Sequence, residues 1–242
     1  MEEKRFLHIC DRVLALNPDA SPVDLATLYT TPYWQLQYEL YRDSFKHCVS
    51  KSRRSIIEEI VSCLLGGYGF KSELGWAAFS RFAERGLIRE GVTYDEVYSA
   101  LITPFVVCGR QTCYRFPQQK AHYVYSFLNR SDLKSIPETN DMALRNWLLN
   151  VKGIGPKTAS WITRNYLGSD NVAIIDIHIY RAGVLTGFIS PGLDISRDYY
   201  EIERSFIDYC QRINVCPSIM DIIMWSNMKH THNIALSLIN HH

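Results

Sequence analysis

The sequence predicts an all-α protein. Apolar residues at helical spacing recur along most of its 242 residues, and several of these segments begin with helix-capping patterns. Strand-like alternation is nearly absent. The one strong β-type run, residues 172–175, is too short and too isolated to define a sheet. With no internal repeat and no flexible linker, we expect helical lobes in direct contact rather than domains joined by a tether.

The predicted helices begin at recognisable start signals. Ser55 and Thr93 each open a Ser/Thr-x-x-Glu capping box, and Pro117 suits the first turn of a helix. Gly66 and Gly67 are expected to stop the first of these helices. Further helices are predicted from apolar faces within residues 144–151, 159–166, 198–213 and 218–229.

Composition indicates an ordinary folded protein, with 47% hydrophobic and 21% charged residues. No apolar stretch is long enough to span a bilayer and the amino terminus lacks a signal-peptide pattern, so we expect a cytoplasmic protein. The net charge of +1 neither requires nor excludes a polyanionic partner. The seven cysteines lack C-x-x-C spacing and are interpreted as mostly buried thiols. Function must therefore be argued from local motifs.

The motif V-K-G-I-G-P-K-T-A at residues 151–159 predicts two helices joined by a sharp turn. Gly153 and Gly155 permit positive φ, and Pro156 suits the first turn of the second helix. In such a turn the N–H groups from Gly153 through Ile154 to Gly155 can point outward and bind a phosphate. The alternative is an ordinary helical hairpin whose glycines only make the turn.

Lys157 falls in the first turn of the second helix, where the positive end of the helix dipole opposes a charged ammonium. Because a lysine there contributes little to folding, its presence favours a chemical role, and an exposed, solvated side chain is the alternative. Trp161 lies one turn further on the same face, either as a flat surface for a planar ligand or as a core side chain.

Asp176 ends the apolar run of residues 172–175 and precedes a predicted helix that begins at Ile177. Its side chain is placed to cap that helix. The same carboxylate can also act on a reacting group, and the two roles are compatible. Asp176 is therefore the second candidate for chemistry.

Residues 148–181 resemble the helix-hairpin-helix DNA glycosylase superfamily. The resemblance rests on Gly153-Ile154-Gly155 as the hairpin, on Lys157 as the lysine of the bifunctional members, and on residues 168–176 as the loop that leads to an essential aspartate. Among lysine-bearing members, the chain is most similar to the archaeal-type 8-oxoguanine DNA glycosylases, through residues 115–121 and 221–225.

This resemblance implies one glycosylase domain, residues 1–242, in which two helical lobes flank a DNA-binding cleft. The central lobe is expected to span residues 51–184, with the hairpin at 144–167. The second lobe is expected to combine residues 1–50 and 185–242. We expect a monomeric, nucleoid-associated protein that binds duplex DNA with one modified base flipped out, and that has no membrane partner.

The resemblance also implies roles for individual residues. Lys157 is the expected nucleophile, which forms a Schiff base with the sugar and permits AP lyase cleavage, and Asp176 is the carboxylate that supports this step. The DNA backbone is assigned to the hairpin and His178. The expected base pocket contains Trp161, Asp221, Trp225, Tyr68 and Phe70. Core packing of the helix that carries Asp221, and a simple helix stop in the turn that carries Tyr68, are the alternatives.

No cofactor is expected apart from a monovalent cation at the hairpin. Members with an iron–sulfur cluster carry four C-terminal cysteines, whereas this chain has only Cys210 and Cys216 there. The carboxyl end does not show the terminal lysine expected of an archaeal-type member, and His241 and His242 are either native or the remainder of a tag. Together with Trp161, this end makes a glycosylase for another modified or hypermodified base, such as those in viral DNA, one alternative. A non-catalytic hairpin module that binds DNA is the other, and the joint presence of a lysine and an aspartate at the motif positions argues against it.

Overall fold

The computed structural model describes residues 2–46, 54–67 and 70–240, and within these ranges the chain folds into thirteen α-helices and one short β-hairpin. The helices are α1 (Glu2–Leu16), α2 (Pro22–Ala26), α3 (Thr31–Phe45), α4 (Ile56–Leu65), α5 (Ser72–Glu84), α6 (Tyr94–Ile102), α7 (Pro117–Leu128), α8 (Asp141–Leu148), α9 (Pro156–Leu167), α10 (Ile177–Thr186), α11 (Tyr199–Arg212), α12 (Pro217–His230) and α13 (His232–Asn240). None of these helices is long and apolar enough to cross a membrane.

The chain divides into two compact units. The central unit is Lys51–Leu167, and the terminal unit combines Met1–Ser50 with Gly168–His242. The boundary expected from the sequence lies after residue 184, whereas the structure divides the chain after residue 167. The reason is that Ile175 and Ile179 are buried in the core of the terminal unit, so α10 packs there.

The central unit contains α4 to α9 around one apolar core. The inner faces of α4 and α9 meet in it, and α6 packs along α7. The predicted helix starts are confirmed. Ser55 Oγ accepts from the Glu58 amide at 3.3 Å while the Glu58 carboxylate accepts from the Ser55 amide at 2.8 Å. Thr93 opens the same box at α6, and Pro117 is the first residue of α7.

The terminal unit packs α3, α10, α11 and α12 around a second core. Trp34 is fully buried at its centre, and its indole N–H donates to Thr186 Oγ1 at 2.8 Å. Helices α1 and α2 pack against α3 through a smaller apolar cluster that includes Ile9, Val13 and Leu25. These helices come from both ends of the sequence.

The all-α class predicted from the sequence is confirmed, with one small addition. Strands β1 (Phe105–Val107) and β2 (Arg110–Thr112) pair antiparallel, with Phe105 opposite Thr112. Three-residue strands are too short to show an alternating pattern, which is why the sequence did not predict them. The β-type run at residues 172–175 is extended but forms no strand within the described part of the chain.

The turn between α8 and α9 requires a glycine at residue 153. Gly153 has φ +93°, and a Cβ built there would lie 2.5 Å from Cδ2 of Tyr123, a residue of α7. Gly155 differs, because a Cβ at that position would have nothing within 4 Å. The close approach of the Tyr123 ring therefore demands the first glycine of the hairpin and not the second.

We expect Gly153→Ala to lower the free energy of unfolding by about 2 kcal/mol or more, since it adds both backbone strain and a collision with Tyr123. Gly155→Ala is the matched control and should change stability by less than about 0.5 kcal/mol. Denaturant unfolding of the two variants measures both quantities. Equal destabilisation by the two substitutions would show that the Tyr123 contact does not control the turn.

Candidate active site

Lys157 is exposed in the first turn of α9. The helix ladder starts just before it, because the Ala159 amide donates to the Gly155 carbonyl at 2.9 Å. Trp161 follows one turn later with 42% of its surface exposed, so the interpretation of Trp161 as a core side chain is wrong. The amine and the indole thus share an accessible face of α9.

This face of α9 lines a cavity of about 590 Å³ in the central unit, a volume typical of small-ligand sites. Phe70 lies in its wall, so the structure brings together three of the predicted site residues, Lys157, Trp161 and Phe70. Tyr68, the other residue predicted from this turn, lies outside the described residues. The far wall comes from α4 and α5 and includes Glu59, Ser62, Cys63 and Trp76.

One end of the cavity is polar, and sequence analysis missed it. The Arg54 guanidinium lies 4.5 Å from the ring centroid of Trp76, donates to Ser62 Oγ at 3.2 Å and pairs with the buried carboxylate of Glu59 at 3.5 Å. Glu59 and Cys63 are four residues apart, so both lie on the inner face of α4. Two polarisable or charged residues on an otherwise apolar face were the signal available in the sequence.

Burial shifts the pKa of two groups near this cavity, Cys63 and Lys120. It raises the pKa of the Cys63 thiol, which therefore remains neutral. It lowers the pKa of Lys120, whose ammonium donates to the carbonyls of Leu64, at 2.7 Å, and Gly66. Lys120 is thus a structural anchor for the turn that follows α4, whereas Lys157 and Lys71 present exposed amines to the cavity.

The hairpin presents less free backbone than the sequence predicted. The Ile154 amide donates to the Val151 carbonyl at 3.0 Å, and the Ile154 side chain is buried in the core. The expectation that successive amides from Gly153 to Gly155 all face outward is therefore corrected at Ile154, because that residue anchors the turn. Gly153 and Gly155 themselves are exposed.

Asp176 caps α10, as its position in the sequence predicted. Its Oδ1 accepts from the amides of His178, at 2.8 Å, and Ile179, at 3.0 Å. The residue is half-buried, and its backbone is extended where it enters the helix. The cap fixes the direction of the carboxylate, which stands at the positive end of the α10 dipole.

An aromatic cluster lies at the start of α10 in the terminal unit. The His178 ring meets Trp225 edge-on, with centroids 6.5 Å apart, and meets His232 at 6.2 Å. Trp225 remains 42% exposed, and Lys229 Nζ lies 5.0 Å from its ring centroid. The structure therefore places two predicted site residues, His178 and Trp225, side by side on one cationic and aromatic surface.

Asp221 lies one turn from Trp225 on α12 but is only 4% exposed. Its Oδ2 accepts from the Ile174 amide at 3.3 Å. Asp221 thus supports the segment before Asp176, as the alternative of core packing expects, and its place in the base pocket stays a prediction. Among the described residues, no group of three or more His, Cys, Asp or Glu side chains is arranged to hold a metal ion.

Comparison with known proteins assigns the family. Residues 39–215 match the model of the 8-oxoguanine DNA glycosylase family, and the chain belongs to that family. The resemblance noted in the sequence is thereby confirmed. An 8-oxoguanine DNA glycosylase/AP lyase of Methanocaldococcus jannaschii is 36% identical over 117 residues, which are 46% of this chain and 56% of that protein. One of Metallosphaera sedula is 29% identical over 184 residues, 72% of this chain and 82% of that protein. The first of these alignments thus spans little more than half of the relative.

Solved structures agree with this assignment. The crystal structure of the Thermotoga maritima 8-oxoguanine DNA glycosylase has the same fold, with a TM-score of 0.61 at 21% identity, over 81% of this chain and 94% of that one. The M. jannaschii enzyme in complex with a 15-mer DNA that contains 8-oxoguanine gives a TM-score of 0.56 at 27% identity, over 79% and 90% of the two chains.

The cap at α10 predicts different outcomes for two substitutions of Asp176. Asp176→Asn retains a side-chain oxygen for the two amides, so the free energy of unfolding should change by less than about 0.5 kcal/mol. Asp176→Ala removes the acceptor and should cost about 0.5–2 kcal/mol. Thermal or denaturant unfolding tests this. If the two variants prove equally stable, the cap contributes nothing and the carboxylate is held by other contacts.

Proposed function

We propose that this protein is a bifunctional DNA glycosylase and AP lyase that releases 8-oxoguanine from duplex DNA, with Lys157 as its nucleophile. The observation that carries the proposal is an exposed lysine in the first turn of α9 that lines a cavity of about 590 Å³. Membership of the family and the names of the relatives support the substrate and the two activities.

The first step would form a covalent bond between Lys157 and the sugar. A base inside the duplex cannot reach a protein nucleophile, so the nucleotide must first be flipped out. The neutral amine of Lys157 then attacks C1′ of the deoxyribose while the bond from C1′ to the base breaks. The base leaves with the bonding electrons and takes up a proton, and the amine loses one.

The second step follows from the chemistry of the adduct. Opening of the sugar ring gives an imine between Lys157 Nζ and C1′, which acidifies the hydrogens on C2′. Loss of one C2′ proton and departure of the 3′ phosphate break the strand, and water then hydrolyses the imine and frees the lysine. Imine chemistry of this kind requires neither a metal nor a redox cofactor.

Asp176 is the carboxylate that we assign to the first step. Positive charge develops on the sugar as the base departs, and a fixed anion stabilises that charge. Because the carboxylate is already oriented by the two amides that it caps, little reorganisation is needed when the charge appears.

The remaining proposed contacts divide between base and backbone. Trp161 and Phe70, in the wall of the cavity, offer flat surfaces for a flipped base, and Trp225 offers another in the terminal unit. The exposed backbone at Gly153 and Gly155, and the His178 side chain, are assigned to phosphates. Phosphate contacts position the DNA without selecting a base.

The test combines a set of duplexes, each with one lesion, with borohydride reduction. We expect the wild-type protein to release 8-oxoguanine, to cleave the strand and to be trapped as a covalent adduct. Lys157→Gln should abolish trapping and cleavage while DNA binding stays within about threefold, since the exposed side chain contributes a nucleophile and no packing.

Lys71→Gln is the matched control, because it removes another exposed amine from the same cavity. It should be trapped as efficiently as the wild-type protein. If Lys157→Gln is still trapped, or if Lys71→Gln is not, a different amine is the nucleophile. Release of some other modified base in preference to 8-oxoguanine would retain the mechanism and reject the substrate.

A further inference from the structure

We propose that Tyr199, Glu203 and Asp221 are positioning residues that hold the extended segment at residues 172–175 and thereby fix the carboxylate of Asp176. The proposal rests on the function proposed above, in which that carboxylate supports base release. It assigns a role in the reaction to three side chains of α11 and α12 that lie outside the cavity of the central unit.

The buried backbone at residues 172–175 needs hydrogen-bond partners. Val172, Ala173 and Ile175 are completely buried and Ile174 is 8% exposed, so their backbone polar groups are largely out of reach of water. An extended segment normally satisfies such groups by pairing with a neighbouring strand, and this one has no strand partner within the described residues. Leaving a buried amide unpaired costs free energy, so other groups must supply the acceptors.

Three buried side chains supply them. Glu203 Oε1 accepts from the Ala173 amide at 3.0 Å, and Asp221 Oδ2 accepts from the Ile174 amide at 3.3 Å. The Tyr199 hydroxyl accepts from the Ile175 amide at 3.3 Å and donates to the Ala173 carbonyl at 2.9 Å. Three consecutive amides are thus bonded by side chains of two helices, and all three of these side chains belong to residues that are themselves only 4% exposed.

The position of the segment explains why this matters for the reaction. Ile175 is bonded directly to Asp176, and Asp176 in turn caps α10 by accepting from the amides of His178 and Ile179. Any movement of the backbone of this segment therefore displaces the carboxylate relative to the sugar on which it acts. Displacement of a reacting group by about 1 Å can slow an enzyme by about a hundredfold.

Tyr199→Phe is the most direct test, because it removes only the hydroxyl and keeps the buried ring. We expect base release at saturating enzyme to slow by about tenfold or more, while the dissociation constant for DNA stays within about twofold. Trapping on DNA that already contains an abasic site should change much less than base release. Tyr200→Phe, on the exposed neighbour, is the control and should behave as the wild type.

A double-mutant cycle separates positioning from general stability. If Tyr199 acts through Asp176, Tyr199→Phe should slow the residual base release of Asp176→Asn by less than about twofold. The same slowing in both backgrounds, or no slowing in either, would overturn the proposal. A wild-type protein that releases no base would instead refute the proposed function, so the two failures are distinguishable.

Glu203 gives a second, independent test if the tyrosine variant is unstable. Glu203→Gln keeps an oxygen that can accept from the Ala173 amide, whereas Glu203→Leu keeps the volume and loses the acceptor. The proposal predicts base release within about threefold of wild type for the former and a loss of about tenfold or more for the latter. Equal rates for the two variants would contradict it. Glu201→Leu, on the exposed face of α11, serves as the matched control.

Discussion

The placement of the proposed nucleophile depends on the contact between the Tyr123 ring and the backbone of Gly153. No side chain fits between them, and the backbone there takes a positive φ, so only glycine suits this position in the turn between α8 and α9. Ile154 then inserts into the core and completes the anchor. Lys157 lies two residues after Gly155, at the start of α9, and its side chain is exposed. The amine of Lys157 is thus positioned by packing contacts that the lysine side chain itself does not make.

Asp176 is also held in a fixed position, but by hydrogen bonds rather than by a ring packed on a glycine. A buried extended segment, bonded by side chains of α11 and α12, leads to Asp176 at the N-cap position of α10, where its carboxylate accepts from two amides. Each proposed reacting group therefore stands at the start of a helix and follows a segment that the core holds rigidly.

Local patterns in the sequence predicted the features that depend on neighbours in the chain. The capping boxes at Ser55 and Thr93, the cap at Asp176 and the place of Lys157 in the first turn of α9 are of this kind, since each involves residues within about one helical turn. The polar end of the cavity was missed because Arg54 and Trp76 come together only when α4 and α5 pack. Asp221 was not recognised as a buried acceptor for the same reason. Its hydrogen-bonding partner, Ile174, is distant in the sequence, and helical spacing alone cannot distinguish a pocket wall from a buried acceptor.

The central claim is that the Lys157 amine becomes bonded to the sugar, and locating the bond tests it most directly. Wild-type protein would be reduced with borohydride in the presence of DNA that contains 8-oxoguanine, digested with a nuclease and with trypsin, and mapped by mass spectrometry. The account predicts one peptide, residues 153–164, that carries the reduced sugar and is uncleaved after Lys157 because the modified side chain blocks trypsin. A sugar adduct on the peptide that contains Lys71 or Lys120, with residues 153–157 and 158–164 recovered as separate unmodified peptides, would contradict it.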